Sequence, residues 1–260
     1  MRVENDPFLA EARHDRRPLR TSLVGDGLLE PPSGHDDRLV TERAVAYARG
    51  IKRGFDVVIA IVSLAVFGAF LPLIALAIKL DSRGPVFFLQ SRIGIDRRQR
   101  RSPCPSYPER RRVVYPGRPF RIFKLRTMRQ DAEAHGPQWA AKHDDRVTRV
   151  GRVLRKTRLD EFPQFVNVLR GEMSVIGPRP ERLCFIRQLE NDVPCYHDRL
   201  IVLPGITGLA QVINGYDTDV DSVRRKVALD RQYIGSLSLR TDLRILALTF
   251  RVLLEGEGAH

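Results

Sequence analysis

Ligand spacings are what this sequence has least of. Its three cysteines, Cys104, Cys184 and Cys195, are odd in number and form no CxxC pair. Neither a disulfide framework nor a zinc site is expected, and a reducing compartment is the default. The six histidines, at positions 14, 35, 135, 143, 197 and 260, fall in no ligand spacing, so a histidine metal centre is not expected either. A P-loop and a GxGxxG turn are both missing, which removes the common nucleotide-binding motifs. No internal repeat marks the chain as a solenoid or array. Carboxylates are short in supply: 31 Asp+Glu face 44 Lys+Arg, giving a formal charge of +13 and a pI near 10.4. With 43% hydrophobic residues in 260, the chain can still bury a core and is not of disordered composition.

The positive charge is concentrated. Residues 1–50 carry 8 basic and 9 acidic side chains, whereas residues 83–126 carry 13 basic and 2 acidic. Such a block first suggests an anion-facing surface, with sequence-independent nucleic-acid binding the usual reading of so high a pI.

What precedes the block changes the class. From Val57 to Ile78 there are 22 uncharged residues, about 33 Å of helix against a hydrocarbon core about 30 Å thick. A soluble helix of this length would show a polar face, and here only Ser63 is polar; membrane insertion is predicted. The run is too long and too far into the chain for a signal peptide, so it is expected to persist in the mature protein. Lys52 and Arg53 stand before it and Lys79 and Arg83 after it, whereas an ordinary span is positive on one side. Pro72 removes a helix hydrogen bond and Gly68 weakens the preceding turn, so a kink or break is expected there. A re-entrant hairpin that enters and leaves by the same face satisfies both facts, and a kinked ordinary span with the catalytic domain on one side is the alternative.

Elsewhere, residues 1–50 read as a mobile N-terminal tail, and residues 39–55 as a short amphipathic helix entering the apolar run. GPVFFLQSRIG and FRIFKLRTM read as strands, separated by an Arg- and Pro-rich loop or insertion over 96–119. Residues 150–170 show helical spacing twice, about a turn near 156–160, with Gly171 as the stop. Residues 203–217, LPGITGLAQVINGYD, read as a structured loop able to cover a site. Near the end, Leu239, Leu243, Leu246, Phe250 and Leu253 form one helical stripe. That stripe would pack on a core or lie in the membrane plane, the second being favoured.

Chemistry concentrates in RKTRLDEFPQFVNVLRGEMSVIGPRPE. Pro163 belongs in a first helical turn, which sets Asp160 and Glu161 at or just before a helix N-terminus. Alone, that is the description of a plain N-cap with acids suited to the dipole. Arg155, Lys156 and Arg158 lie within five residues, however, and two prolines stiffen the presentation of Arg179. Two carboxylates among fixed cations make a place for phosphate and metal. A carboxylate nucleophile would give an acyl phosphate, close in energy to a diphosphate and so suited to exchanging one diphosphate for another. Lys124 and Arg126 alternate on FKLRTM, where a solvated strand face is the competing reading.

Taken in order, KRGFDVVIAIV with its proline-interrupted run, FKLRTM, DDRVTRVGRVLRKTRLDEFPQFVNVLRGEMSVIGPRPE, LPGITGLAQV and DLRILALTFRVLL resemble the bacterial sugar transferase family, the monotopic phosphoglycosyl transferases. The resemblance runs from about residue 50 to the end. It is to the short form without additional N-terminal membrane helices, similar to exopolysaccharide-initiating galactosyl or glucosyl phosphate transferases. It implies an α/β, mostly helical, monotopic membrane protein: a re-entrant helix-break-helix over 51–82, then a cytoplasmic catalytic domain over 83–260 with amphipathic in-plane helices and a basic insertion at 96–119. Asp160 matches the nucleophile and Glu161 its partner; Lys124, Arg155 and Arg179 match phosphate- and substrate-binding positions; Pro72 matches the helix break. Mg²⁺ is the implied cofactor, held by Asp160 and Glu161. The implied substrates are a UDP-sugar and undecaprenyl phosphate, with UMP released. The implied setting is the bacterial inner membrane, with anionic phospholipid as partner and no nucleic acid.

Two departures qualify the match. Leu71 precedes Pro72 where the family often has serine, and the 96–119 stretch is longer than the family's short turn. That stretch is expected either to touch anionic lipid, at about 1 kcal/mol per cation, or to be an unstructured insertion. The competing class is a membrane-anchored basic module for nucleic acid or anionic polymer, whose affinity would fall steeply with salt and ignore Asp160 and Glu161. A hydrolase with an aspartyl-phosphate intermediate is a third reading, distinguished by turnover without a lipid acceptor. No residue discriminates galactose, glucose or an N-acetylated hexosamine.

Overall fold

The computed structural model describes residues 42–96, 115–134, 136, 144–214 and 219–255. The tail expected over 1–50 lies outside these residues up to position 41, and the insertion expected over 96–119 lies outside them from 97 to 114.

A short helix, α1 (Glu42–Arg49), leads through Gly50 into α2 (Ile51–Asp81). The helical hydrogen bonding of α2 continues through Pro72, so of the kink or break expected there a kink within one helix is the form that fits. The cost of the missing N–H is local, one hydrogen bond in a ladder of many, and the turns on either side continue. Among the described residues α2 is the one helix long and apolar enough to cross a membrane, and 11% of its most apolar stretch is buried. A core helix would be mostly buried, and this one leaves Val58, Ile61, Val62, Val66, Phe70, Leu73, Leu76 and Leu80 exposed along one side.

Both ends of α2 are held by the rest of the chain. Near its start, Lys52 Nζ meets Asp242 Oδ2 at 2.7 Å, and Asp56 Oδ1 accepts from Ser174 Oγ (3.0 Å) and the Val175 amide (2.9 Å). At its end, Arg126 donates to the carbonyls of Ser82 (2.6 Å) and Arg83 (2.7 Å), and Asp81 accepts from the Val150 amide (2.9 Å). These contacts tie both ends of the helix to parts of the chain far away in sequence.

Strand β1 (Phe87–Ile93) pairs antiparallel with β2 (Pro119–Leu125), from Phe87 opposite Leu125 to Ile93 opposite Pro119. Both were expected. Helix α3 (Arg149–Lys156) starts at Thr148, whose side chain accepts from the Gly151 amide. A 3₁₀ turn (Leu159–Gln164) and α4 (Phe165–Leu169) follow, and Gly171, at φ +70°, ends the segment in the left-handed region that glycine enters freely. Next come β3 (Ser174–Ile176), α5 (Leu183–Leu189) and β4 (Gly205–Thr207), with β3 and β4 parallel. Then α6 (Leu209–Ile213), α7 (Val220–Gly235) and α8 (Leu239–Leu254) complete the described chain. The segment 203–217, read as a loop, therefore contains a strand and a helical turn; its short apolar pieces are too brief to show a period. The expected terminal helix is present as α8.

One core gathers Ala60 of α2, Ile122, Val168, Val175, Tyr233 and Ile245; another gathers Phe67 and Ile78 of α2 with Leu125 and Leu154. The apolar helix thus shares buried surface with the elements that carry the candidate site.

Candidate active site

Arg158, at φ 58°, turns the chain out of α3 and into the 3₁₀ turn that carries Asp160 and Glu161. A non-glycine residue in that region costs free energy, and here it sets two adjacent carboxylates at a buried corner, each 7% exposed. Phe162 locks the corner by stacking on Phe67 of α2, with ring centroids 5.6 Å apart.

The two carboxylates differ in their partners. Glu161 Oε1 accepts from Lys124 Nζ at 2.9 Å and from Arg179 Nη2 at 2.8 Å, and Oε2 has Arg179 Nη1 at 3.5 Å. No hydrogen bond or ion pair joins the Asp160 carboxylate to a described residue, unlike that of Glu161. Burial alone would push Glu161 up, but Arg179 and Lys124 outweigh it and hold its carboxyl well below the usual range. Burial pushes Asp160 up; Lys124 opposes this, Glu161 adds to it, and the net direction is upward. Burial likewise lowers Lys124, against the pull of Glu161.

The cations arrive from three elements. Lys124 stands one residue before the end of β2, on the sheet face turned to the dyad. Arg155, in the last turn of α3, donates through Nε to Thr127 Oγ1 at 3.0 Å and contributes to the field at Asp160. Arg179 lies between Pro178 and Pro180, after β3. The structure therefore brings together Asp160, Glu161, Lys124, Arg155 and Arg179, all five named from sequence. Pro72 is not among them; it lies within α2.

Arg126, paired with Lys124 by strand alternation, is not part of the group. It lies beyond the end of β2 and caps α2. Sequence reasoning missed the supports. Asn167, fully buried, accepts from the Phe123 amide (3.1 Å) and donates to the Arg121 carbonyl (2.7 Å), fixing the strand that carries Lys124. Its one signal was a polar residue inside the apolar FVNVL. Thr127, which holds Arg155, gave no signal.

Magnesium favours oxygen ligands, commonly one or two carboxylates completed by water and substrate phosphate. The Asp160 carboxylate, without a partner among the described residues, and the weakly engaged Glu161 Oε2 fit that donor set. Among the described residues no third His, Cys, Asp or Glu joins them.

The sequence model of the bacterial sugar transferase family matches residues 47–256. A UDP-N-acetylgalactosamine-undecaprenyl-phosphate N-acetylgalactosaminephosphotransferase of Aeromonas hydrophila is 45% identical over 210 residues, covering 81% of this chain and 45% of that protein. A UDP-glucose:undecaprenyl-phosphate glucose-1-phosphate transferase of Caulobacter vibrioides is 41% identical over 80% of this chain and 72% of its own length. The exopolysaccharide production protein PSS of Rhizobium leguminosarum bv. phaseoli is 37% identical over 75% of this chain and 91% of its own. The chain thus spans less than half of the Aeromonas protein and most of the other two.

Proposed function

Because this chain belongs to the bacterial sugar transferase family, we propose that it moves a sugar 1-phosphate from a UDP-sugar to undecaprenyl phosphate, as the first membrane step of exopolysaccharide assembly. The supporting observation is the asymmetry of the dyad. Glu161 is pinned by Lys124 and Arg179, while the oxygens of Asp160, beside it, have no partner among the described residues. A nucleophile needs free lone pairs, and an upward-shifted carboxylate is the more basic and more nucleophilic of two.

In this reading Asp160 Oδ attacks the sugar-bearing phosphorus of the UDP-sugar. The bond from that phosphorus to the bridging oxygen breaks, UMP departs, and an aspartyl sugar-phosphate forms. A phosphate oxygen of undecaprenyl phosphate then attacks the same phosphorus. The acyl phosphate bond breaks, the Asp160 carboxylate is restored, and polyprenyl diphosphate sugar leaves. Lys124, Arg155 and Arg179 hold the diphosphate oxygens, where fixed cations stabilise developing charge. Glu161 keeps Lys124 and Arg179 aimed between turnovers. Magnesium, when bound by Asp160 and Glu161, neutralises diphosphate charge.

The lipid acceptor requires a site at the membrane surface, and α2, with its exposed apolar side, supplies the anchor. In this reading α2 enters and leaves on the cytoplasmic face of the inner membrane, α8 lies in the plane, and basic side chains meet anionic lipid.

The test is UMP release by detergent-solubilised protein given Mg²⁺, undecaprenyl phosphate and a panel of UDP-hexoses. Release with at least one sugar, dependent on the lipid for repeated turnover, is expected. Asp160→Asn should abolish turnover and sugar-phosphate labelling of the protein while leaving its thermal midpoint close to the parent's. Silence with every sugar, or an active Asp160→Asn protein, would remove the reading.

A further inference from the structure

The segment that presents Arg179 is held in an unusual way. Residues 178–181 lie outside helix and strand, yet all four consecutive carbonyls are bonded. Pro178 O accepts from the Gly205 amide (2.9 Å), Arg179 O from Arg199 Nη2 (3.1 Å), Pro180 O from Arg92 Nη1 (3.1 Å) and Glu181 O from the Ile93 amide (2.9 Å). With both prolines fixing φ, the backbone beneath Arg179 has little freedom left.

Of these donors, Arg92 pairs loosely with Glu181 at 3.5 Å, and Arg199 has the shorter and more deeply buried ion pair. Arg199 is 3% exposed, its Nε and Nη2 reach Asp230 Oδ2 at 3.0 and 2.9 Å, and its Nη1 reaches Tyr196 Oη at 3.3 Å. Asp230, on α7, is 1% exposed. A buried ion pair adds little net stability over apolar groups of similar size, so stability alone does not account for its chemistry. What an arginine offers and an apolar residue lacks is a rigid fork that can bind a carboxylate, a hydroxyl and a backbone carbonyl together.

We infer that the Arg199–Asp230 pair is a positioning device for Arg179. Asp230 orients the Arg199 fork, the fork fixes the Arg179 carbonyl, and that bond sets the direction in which the Arg179 guanidinium meets phosphate. Arg199 and Asp230 touch no reacting atom and act through Arg179. The inference rests on the proposed phosphate-binding role of Arg179.

The test compares Arg199→Lys in two backgrounds, the parent and Arg179→Ala. Lysine keeps the charge beside Asp230 but, with one nitrogen, cannot also hold the Arg179 carbonyl and Tyr196. In the parent, kcat/KM for UMP release is expected to fall about 10- to 100-fold, the range that small misplacement of a positioning group produces, and UDP affinity by titration calorimetry to weaken. In the Arg179→Ala protein the same substitution should change kcat/KM or UDP affinity less than twofold, because the group it positions is gone. The thermal midpoint should shift equally in both backgrounds. Asp230→Asn, which frees the fork while preserving volume, should repeat the pattern. The same factor in both backgrounds would make the pair a structural support and overturn the inference. Arg179→Ala that retains full activity and UDP affinity would instead overturn the proposed role of Arg179, a separate outcome.

Discussion

Glu181 shows how a single side chain stores charge next to the site without belonging to it. Its Oε1 lies 2.7 Å from Lys226 Nζ and its Oε2 3.5 Å from Arg92 Nη1. Burial would raise its carboxyl, but Lys226, Arg199 and Arg92 together hold it down to about 2 from an ordinary 4.5. A group depressed on folding contributes stability above its unfolded value and loses it as pH falls toward its folded value. Glu181→Gln is therefore expected to cost on the order of 3 kcal/mol at pH 7. The gap to the parent should narrow as pH falls from about 4.5 toward 2. Thermal midpoints of both proteins in detergent across that range check this, and a gap that stays constant would show that Glu181 is not the titrating group. The same residue marks where sequence reading stops. Asp160, Glu161, Arg155 and Arg179 stood out because unusual residue types cluster around a proline-marked turn, whereas Lys124 was drawn in only by the family resemblance. Glu181 finds Lys226 45 positions away, Arg199 finds Asp230 31 away, and Lys52 finds Asp242 190 away. Within its own stretch of sequence each of these charges is indistinguishable from one on a solvated surface.

Among the elements, α3 depends for its placement on a missing side chain. Gly151 is buried against the backbone of Thr127, and a Cβ there would overlap the Thr127 carbonyl and its neighbouring backbone atoms. That carbonyl also accepts from the Thr148 amide at 3.0 Å, and the Thr127 hydroxyl accepts from Arg155. In an open helix position Gly→Ala raises stability by about 1 kcal/mol. Here backbone cannot yield as a side-chain tip would, so overpacking of about 1–3 kcal/mol outweighs that gain. Gly151→Ala should lower the thermal midpoint and, by pushing α3 and Arg155 away from Thr127, reduce UMP release about tenfold. Gly235→Ala, where a Cβ meets nothing within 4 Å, is the control and should leave both readings at or above the parent's. The helices with long apolar stripes and the two antiparallel strands were legible because their periods repeat. The pair β3 and β4 was not, since three residues each are too few for a period, and their pairing is decided by partners 31 residues apart in register.

At the level of the whole molecule, the decisive geometry is that one folded unit holds both ends of α2. A straight helix of 31 residues extends about 46 Å, more than the roughly 30 Å of hydrocarbon. If α2 spanned the bilayer, Lys52–Asp242 at one end and Arg126 on the Ser82 and Arg83 carbonyls at the other would lie on opposite faces. The elements joining them, including the buried dyad and its cations, would then sit in lipid, where unpaired charge is costly. Entry and exit on one face avoids this and leaves the apolar side from Val58 to Leu80 for the acyl chains. The residues alone left the hairpin and the kinked span open, and the bonds at the two ends of α2 support the proposed entry and exit on one face. Single cysteines placed at the exposed Arg49 and Arg83, with the native cysteines changed to serine, read out the topology. In membrane vesicles of known orientation, both positions should react with an impermeant maleimide from the cytoplasmic side only. Arg49→Cys and Arg83→Cys labelling from opposite sides would establish a span, and the proposed placement of the catalytic groups at the cytoplasmic surface would have to be abandoned with it.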